Sequence, residues 1–429
     1  MKKRGAFILV AALLLCLAVF LITWDGFLYK NDPDLGGIVI TKYLGRAAEV
    51  SIPEEIKGKP VVAIGDGAFY GRKRLQRVTI PGSVTKIGAN AFNSCIRLTS
   101  VTIPDGLTEI SIGMFYDCKG LTDINIPGGV AEIGNHAFSG CAGLTTVTIP
   151  YSVTSIGLNA FMGCTSLANI EIPDSVTSID ESAFLNCTGL TNVIIPNGLT
   201  KISNGMFYGC NSLVGITIPD SVTSIGALAF AHCTGLTYVT IPDSVTEIIG
   251  WGAFAGCTGL TYVTIGSGIT RIGEYMFEGC TALTGITIPG GVTEIGPSAF
   301  EYCTGLTSVT IPNSVTKIGY SAFKSCTGLT SIDIPDSVTV IEGILRIDGV
   351  FLGAFRDCAG LTSIDIPDSV TNIGVGAFLG CSEGFTANYK GVTYVVELRE
   401  ERGLAWILLG TVEYFYDLTD EFYDAINEK

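Results

Sequence analysis

A chain of 429 residues would ordinarily hold about two or three domains, but 54 glycines and 47% hydrophobic residues exclude disorder and favour many short buried strands joined by turns. The formal net charge of −15 excludes a nucleic-acid partner, because an acidic surface repels a phosphate backbone. The same charge argues against docking on anionic lipid, so membrane contact is expected only through an N-terminal segment.

That segment opens the chain. Lys2, Lys3 and Arg4 precede an apolar run from Ala6 to Ile22, which Thr23, Trp24 and Asp25 follow. The run is longer than a signal-peptide core of about 7–15 residues and sits at the lower limit for crossing a bilayer. No A-x-A-like cleavage site follows it, so residues 1–30 read as either a removable signal peptide or a retained membrane anchor. In both readings the basic flank stays inside and the rest of the chain is exported. Cys16 is a poor lipidation site, since Leu15 stands before it where a small residue is wanted. Residues 31–46, with the run Ile38-Val39-Ile40-Thr41, read as an N-terminal cap.

From Leu75 one unit recurs, L-T-x-V-x-I-P-x-x-V-T-x-I-G-x-x-A-F-x-x-C-x-x, with a period of 23 residues. Its leading Leu, position 1, falls at Leu75, Leu98, Leu121, Leu144, Leu167, Leu190, Leu213, Leu236, Leu260, Leu283, Leu306, Leu329 and Leu361. The unit from Leu236 has one extra residue near Ile249, and the unit from Leu329 has an insertion near Glu342–Val350. A degenerate unit from about Ala47 precedes them, with Arg72 where later units have Cys. Residues 47–383 are therefore about fourteen coils of one solenoid.

Apolar positions 4 and 6 alternate with polar 3 and 5, as in a short strand with one face inward. Pro at 7 ends the strand because it has no N–H to donate. Val at 10 and Ile at 13 return to the core, and Gly at 14 permits a bend. Ala at 17 and Cys at 21 lie four apart around Phe at 18, a spacing that suits one or two helical turns. The expected fold is a β-rich, leucine-rich-repeat-like solenoid: short strands stacked into a parallel sheet, with short helical or irregular segments on the other side. One coil cannot offset the entropy of ordering itself, so each depends on its neighbours. Strands about 4.8 Å apart make a rod or arc on the order of 60 Å long.

Equivalent positions stack into columns, and the columns supply the candidate sites. Position 21 carries Cys95, Cys118, Cys141, Cys164, Cys187, Cys210, Cys233, Cys257, Cys280, Cys303, Cys326, Cys358 and Cys381. Free Cys behaves as a small buried hydrophobe, so a structural thiol ladder is expected, with disulfides between adjacent coils as the alternative. No metal site is expected from these residues, since no C-x-x-C occurs and His136 and His232 are the only histidines. Those two occupy variable positions 16 and 20, away from any nucleophile–base arrangement, so no catalytic residue and no cofactor are expected. Asp recurs at position 8 (Asp105, Asp174, Asp220, Asp243, Asp336, Asp368), where turn chemistry competes with Ca²⁺ binding. The outward strand face carries Thr79, Thr102, Thr148, Thr217, Thr240, Thr264, Thr287 and Thr310 at position 5, and cross-strand Thr pairing accounts for that column. At position 3, Tyr238 and Tyr262 fall on consecutive coils, and exposed aromatic neighbours anchor protein or carbohydrate partners.

The run L-T-S-V-T-I-P-N-S-V-T-K-I-G-Y-S-A-F-K-S-C at Leu306–Cys326 resembles the BspA-type leucine-rich repeat, and the likeness extends over about Ala47 to Glu383. It implies a leucine-rich-repeat-like solenoid and a kinship with bacterial surface proteins implicated, as a family, in binding host proteins or other cells. The sequence departs from the broader leucine-rich pattern at position 9, where Ser175 or Gly106 replaces the usual Asn, so no asparagine ladder is expected. Residues 384–429 read as a C-terminal cap. Thr386–Tyr389 and Val392–Val396 flank Lys390-Gly391 as a hairpin, the apolar stretch Leu404–Leu409 and Tyr414, Phe415 and Tyr416 follow, and Leu418, Phe422 and Ile426 form a helical stripe. The expected function is a non-catalytic extracellular scaffold, secreted or at the cell surface, that binds a protein or glycan partner. The alternative is an envelope or spacer protein without a specific ligand.

Overall fold

The computed structural model describes residues 23–24, 26–347 and 349–395. The N-terminal apolar run and the C-terminal stretch carrying Leu404–Leu409 and the Leu418–Phe422–Ile426 stripe lie outside them.

Nearly every coil lays down two short strands; the coil from Leu329 keeps only the second, Val340–Ile341. Positions 3–5 form the first, as in Asp123–Asn125 and Thr146–Thr148, and positions 12–13 form the second, as in Glu132–Ile133 and Ser155–Ile156. Both pair in parallel with their equivalents one repeat away: Ile124 meets Val147, and Ile133 meets Ile156. The extra residue of the 24-residue coil leaves the strands in register, so that Val239 faces Val263. The larger insertion leaves the column as an antiparallel hairpin of Gly343–Leu345 with Phe351–Gly353, while the column itself closes over the gap by pairing Ile341 with Ile373.

The third side of each coil corrects the sequence reading. Positions 14–21 do not form helical turns; no helix occurs among the described residues. Positions 16 and 20 take left-handed backbone angles in coil after coil: His136 (φ 57°) and Gly140 (75°), Asn159 (53°) and Gly163 (71°), Ser182 (56°) and Asn186 (57°). An α-helix needs consecutive right-handed residues, so two left-handed residues four apart break it. The amides divide their bonds accordingly. Alternate N–H groups donate to the next coil, as His136 to Leu158 O (2.8 Å), Phe138 to Ala160 O (2.8 Å) and Gly140 to Met162 O (2.7 Å). The intervening ones close i to i−3 turns, as Ser139 to His136 O (3.2 Å) and Cys141 to Phe138 O (3.1 Å). Gly at position 14 lets adjacent coils touch: a Cβ on Gly157 would sit 2.7 Å from the backbone N of Asn135.

The core is a set of continuous columns. The position-18 phenylalanines stack face to face, for example Phe161 on Phe184 with centroids 5.4 Å apart and rings 1° from parallel. Both ends of this column are closed by other aromatic rings. Tyr43 stacks on Phe69 at 5.3 Å, with Phe27 edge-on at 6.2 Å, and at the far end Phe385 stacks on Phe378 at 5.5 Å. Tyr43 and Phe27 belong to an antiparallel hairpin, Phe27–Asp32 with Gly37–Tyr43, whose second strand continues the solenoid by pairing with Lys59–Ile64. At the C-terminal end, Thr386–Tyr389 continues the position 3–5 column and turns back on Val392–Val395.

Candidate functional site

Strand alternation turns positions 4 and 6 inward and leaves 3 and 5 on an open face, where all eight Thr of the position-5 column are exposed. Tyr238 and Tyr262 lie on this face as direct register partners, 51% and 63% exposed. Tyr238 lies over Gly215, its partner on the preceding coil: a Cβ there would sit 2.5 Å from the Tyr238 Cζ. Gly285 takes the same position in the coil after Tyr262, so position 3 reads Gly, Tyr, Tyr, Gly over four coils. Only a residue without a side chain lets the Tyr238 ring lie flat there.

Two apolar residues extend the surface, and sequence reasoning missed both. Ile194, 63% exposed, replaces Thr at position 5, and Val214, 52% exposed, replaces Thr at position 2. The signal was their departure from the polar consensus. From Asn192 to Thr310, positions 3 and 5 carry no charged residue, whereas Arg77, Asp123 and Glu171 precede this window and Asp333 and Asp365 follow it. The tyrosine pair therefore sits in an uncharged stretch of an otherwise charged face.

The cysteine column lies on the opposite side of the core. All thirteen cysteines of this column are buried and free. Each thiol donates to the carbonyl of the Phe one coil back, from 3.0 Å (Cys303 to Phe277) to 3.4 Å (Cys381 to Phe355). Burial pushes the thiols of Cys141, Cys187 and Cys233 up to about 12, so these groups stay neutral and are poor nucleophiles. Their chemistry is packing plus one weak hydrogen bond per coil.

Hydroxyls tie each coil to the one before it. Position-9 serines donate to the position-10 carbonyl of the preceding coil, as Ser175 to Val153 (2.8 Å) and Ser337 to Val315 (2.7 Å). Position-2 threonines donate to the position-2 carbonyl of the preceding coil, as Thr191 to Ala168 (3.0 Å). Two of the position-8 aspartates act within this network. Asp174 accepts from the Asn197 amide (2.8 Å), and Asp243 accepts from the amide and hydroxyl of Ser267 (2.7 and 3.0 Å), bonds that hold its carboxyl below its usual range. The two histidines stand apart, His136 beside Tyr116 and His232 beside Tyr208. Among the described residues no group of His, Cys, Asp or Glu is placed to hold a metal ion.

The chain matches the family described as BspA type leucine rich repeat region over residues 47–168, 131–251, 234–344 and 350–393. It is similar to the crystal structure of a leucine-rich repeat protein from Bacteroides ovatus, at 31% identity, covering 84% of this chain and 92% of that one with a TM-score of 0.63. A leucine rich cell surface protein from Faecalibacterium prausnitzii is 34% identical over 72% of this chain and 93% of that one, with a TM-score of 0.48. The pneumococcal vaccine antigen PcpA shares the fold at 17% identity, over 86% of this chain and 98% of its own, with a TM-score of 0.56. No curated protein sequence matches the chain.

Proposed function

The chain belongs to the BspA-type leucine-rich repeat family, a non-catalytic repeat scaffold, and from that premise we propose that it is displayed outside the cell to bind a neutral partner, a glycan or a protein, on its strand face. Residues 6–22 hold it at the surface, with Lys2, Lys3 and Arg4 on the inner side. One observation carries the binding assignment: Tyr238 and Tyr262 are register partners, half or more exposed, in a window without charge. Planar, weakly hydrated surface of this kind suits the apolar face of a sugar ring or an aromatic side chain, and it gains contact area at little entropic cost.

The test is a panel of extracellular-matrix proteins, glycans and whole cells, probed with the full chain and with Tyr238→Ala/Tyr262→Ala. Saturable binding that falls roughly 30-fold or more in the double variant supports the reading, the loss expected of an aromatic hot spot. No binding anywhere in the panel favours the spacer reading instead, and saturable binding unchanged in the variant overturns the assignment to the tyrosine pair. The near-uniform Thr face is what recommends that alternative.

A further inference from the structure

The charge of −15 is not spread evenly along the rod. Residues 26–97 hold 11 Lys and Arg against 6 Asp and Glu, a net of +5, whereas residues 98–395 hold 8 against 24, a net of −16. The positive end has a focus. Arg46, Arg72, Lys73 and Arg74 line one cavity of about 240 Å³ together with Gly45 and Gly71. None of these four cations meets a carboxylate among the described residues, although Arg77, a few residues on, is paired with Glu49. The Nε of Arg72 is buried and has no hydrogen-bond partner. Two side chains next to these segments in sequence are apolar or amphipathic and exposed: Leu44 (45%) and Tyr70 (59%).

Position in the chain identifies the occupant. The apolar run ends at Ile22, and Trp24 already pairs with Phe27 in the cap. The Leu44 amide donates to the Gly26 carbonyl at 2.7 Å, which ties the cavity segment to the residues that follow the run. We infer that this basic end docks on the anionic phospholipid headgroups of the membrane from which the run emerges, and that the acidic remainder stands away from it. Unpaired cations beside an exposed Leu and Tyr match a headgroup layer, where charge meets phosphate and the apolar parts sit at the acyl boundary. The whole-chain charge that argued against lipid contact averages two opposite ends. Over a rod of this length they act separately, because salt screens beyond about 10 Å.

This inference rests on the proposed surface tether, and the experiment separates the two. Full-length protein is floated with phosphatidylcholine vesicles and with equimolar phosphatidylcholine and phosphatidylglycerol, while hydrogen exchange is followed at amides 44–47 and 70–75. The same is done for Arg46→Ser/Lys73→Ser/Arg74→Ser. A tethered chain floats with both vesicles, and docking slows those amides on the anionic vesicles alone. The triple variant and high salt abolish the effect, and in a chain that is not tethered the variant weakens partition onto anionic lipid by roughly 100-fold at low salt. If the chain floats only with anionic vesicles and the variant does not, docking stands and the tether fails. Equal exchange on both vesicles, or protection unchanged by the triple variant, overturns the docking. So does capture of heparin, a soluble polyanion, through the same residues with no response to vesicles.

Discussion

The strand side and the turn side of each coil are built from the same 23 residues but hold together by different means. On the strand side, backbone ladders run through positions 3–5, and the side chains at 3 and 5 face solvent and can vary. On the turn side, Phe at 18, Cys at 21 and Ala or Met at 17 are buried, and the backbone at positions 16 and 20 is held left-handed in nearly every coil. The contrast teaches where the solenoid keeps its stability and where it keeps its freedom to bind. Substitutions should therefore cost much on the turn side and little on the strand face.

The largest expected effect comes from the thiols. An unfolded Cys ionises near about 8.5, whereas in the fold burial holds Cys141, Cys187 and Cys233 up to about 12. Below about pH 8.5 both states are neutral, and the burial carries no pH-dependent penalty. Between about pH 9 and 12 the unfolded chain releases protons that the folded chain retains, so stability falls by about 1.4 kcal/mol per thiol per pH unit. With thirteen such thiols the slope is steep, and cooperative unfolding is expected near pH 10 by circular dichroism. Cys164→Ala/Cys187→Ala/Cys210→Ala should move that midpoint upward. Thiolate absorbance rising at pH 9 in a still-folded chain would contradict the account.

Next in size is the ring column. Phe184 is sandwiched between Phe161 and Phe207 at 5.4 Å on either side. Phe184→Ala should cost about 3–5 kcal/mol, the transfer loss plus an unfilled cavity that the flanking rings cannot close. Tyr238→Ala, on the strand face, should stay within about 0.5 kcal/mol. Urea midpoints of the two variants check the pair, and equal losses would erase the distinction between the sides.

How much of this was legible from residues alone follows the same division. The strand side was readable because period-two alternation at Val101 and Ile103 has one structural meaning. The turn side was misread because Ala137 and Cys141, four apart, satisfy a helical period as well as they satisfy two successive tight turns. The deciding signal lay in the residues between: Gly113, Asn159 and Gly205 at position 16, and Gly140, Gly163 and Asn186 at position 20, types that accept positive φ. At the candidate site the tyrosines were visible as neighbours in the repeat, but Gly215 beneath Tyr238 was not, because bare backbone leaves no mark in an apolar pattern. The basic end was hidden for another reason: a summed charge carries no position.

A pair of glycines gives the sharpest discriminator, since one substitution should change sign between the sides. Gly163, at position 20, has φ 71°, and a Cβ added there would come no nearer than 3.9 Å to any neighbour, the Gly140 backbone. Gly163→Ala therefore introduces no clash and isolates the left-handed penalty, about 1–2 kcal/mol of destabilisation. Gly285, on the strand face, has no positive φ, and its added Cβ would meet the Ser308 hydroxyl at 3.2 Å, which can rotate away, and the Ser308 carbonyl oxygen at 3.6 Å, an ordinary contact. Gly285→Ala should stabilise by about 0.5–1 kcal/mol, because a strand glycine costs backbone entropy that Ala does not. Thermal midpoints moving in opposite directions would establish that the two sides differ in backbone conformation and not merely in burial. Midpoints moving together would mean that the left-handed positions are incidental, and that the absence of helix has some other cause.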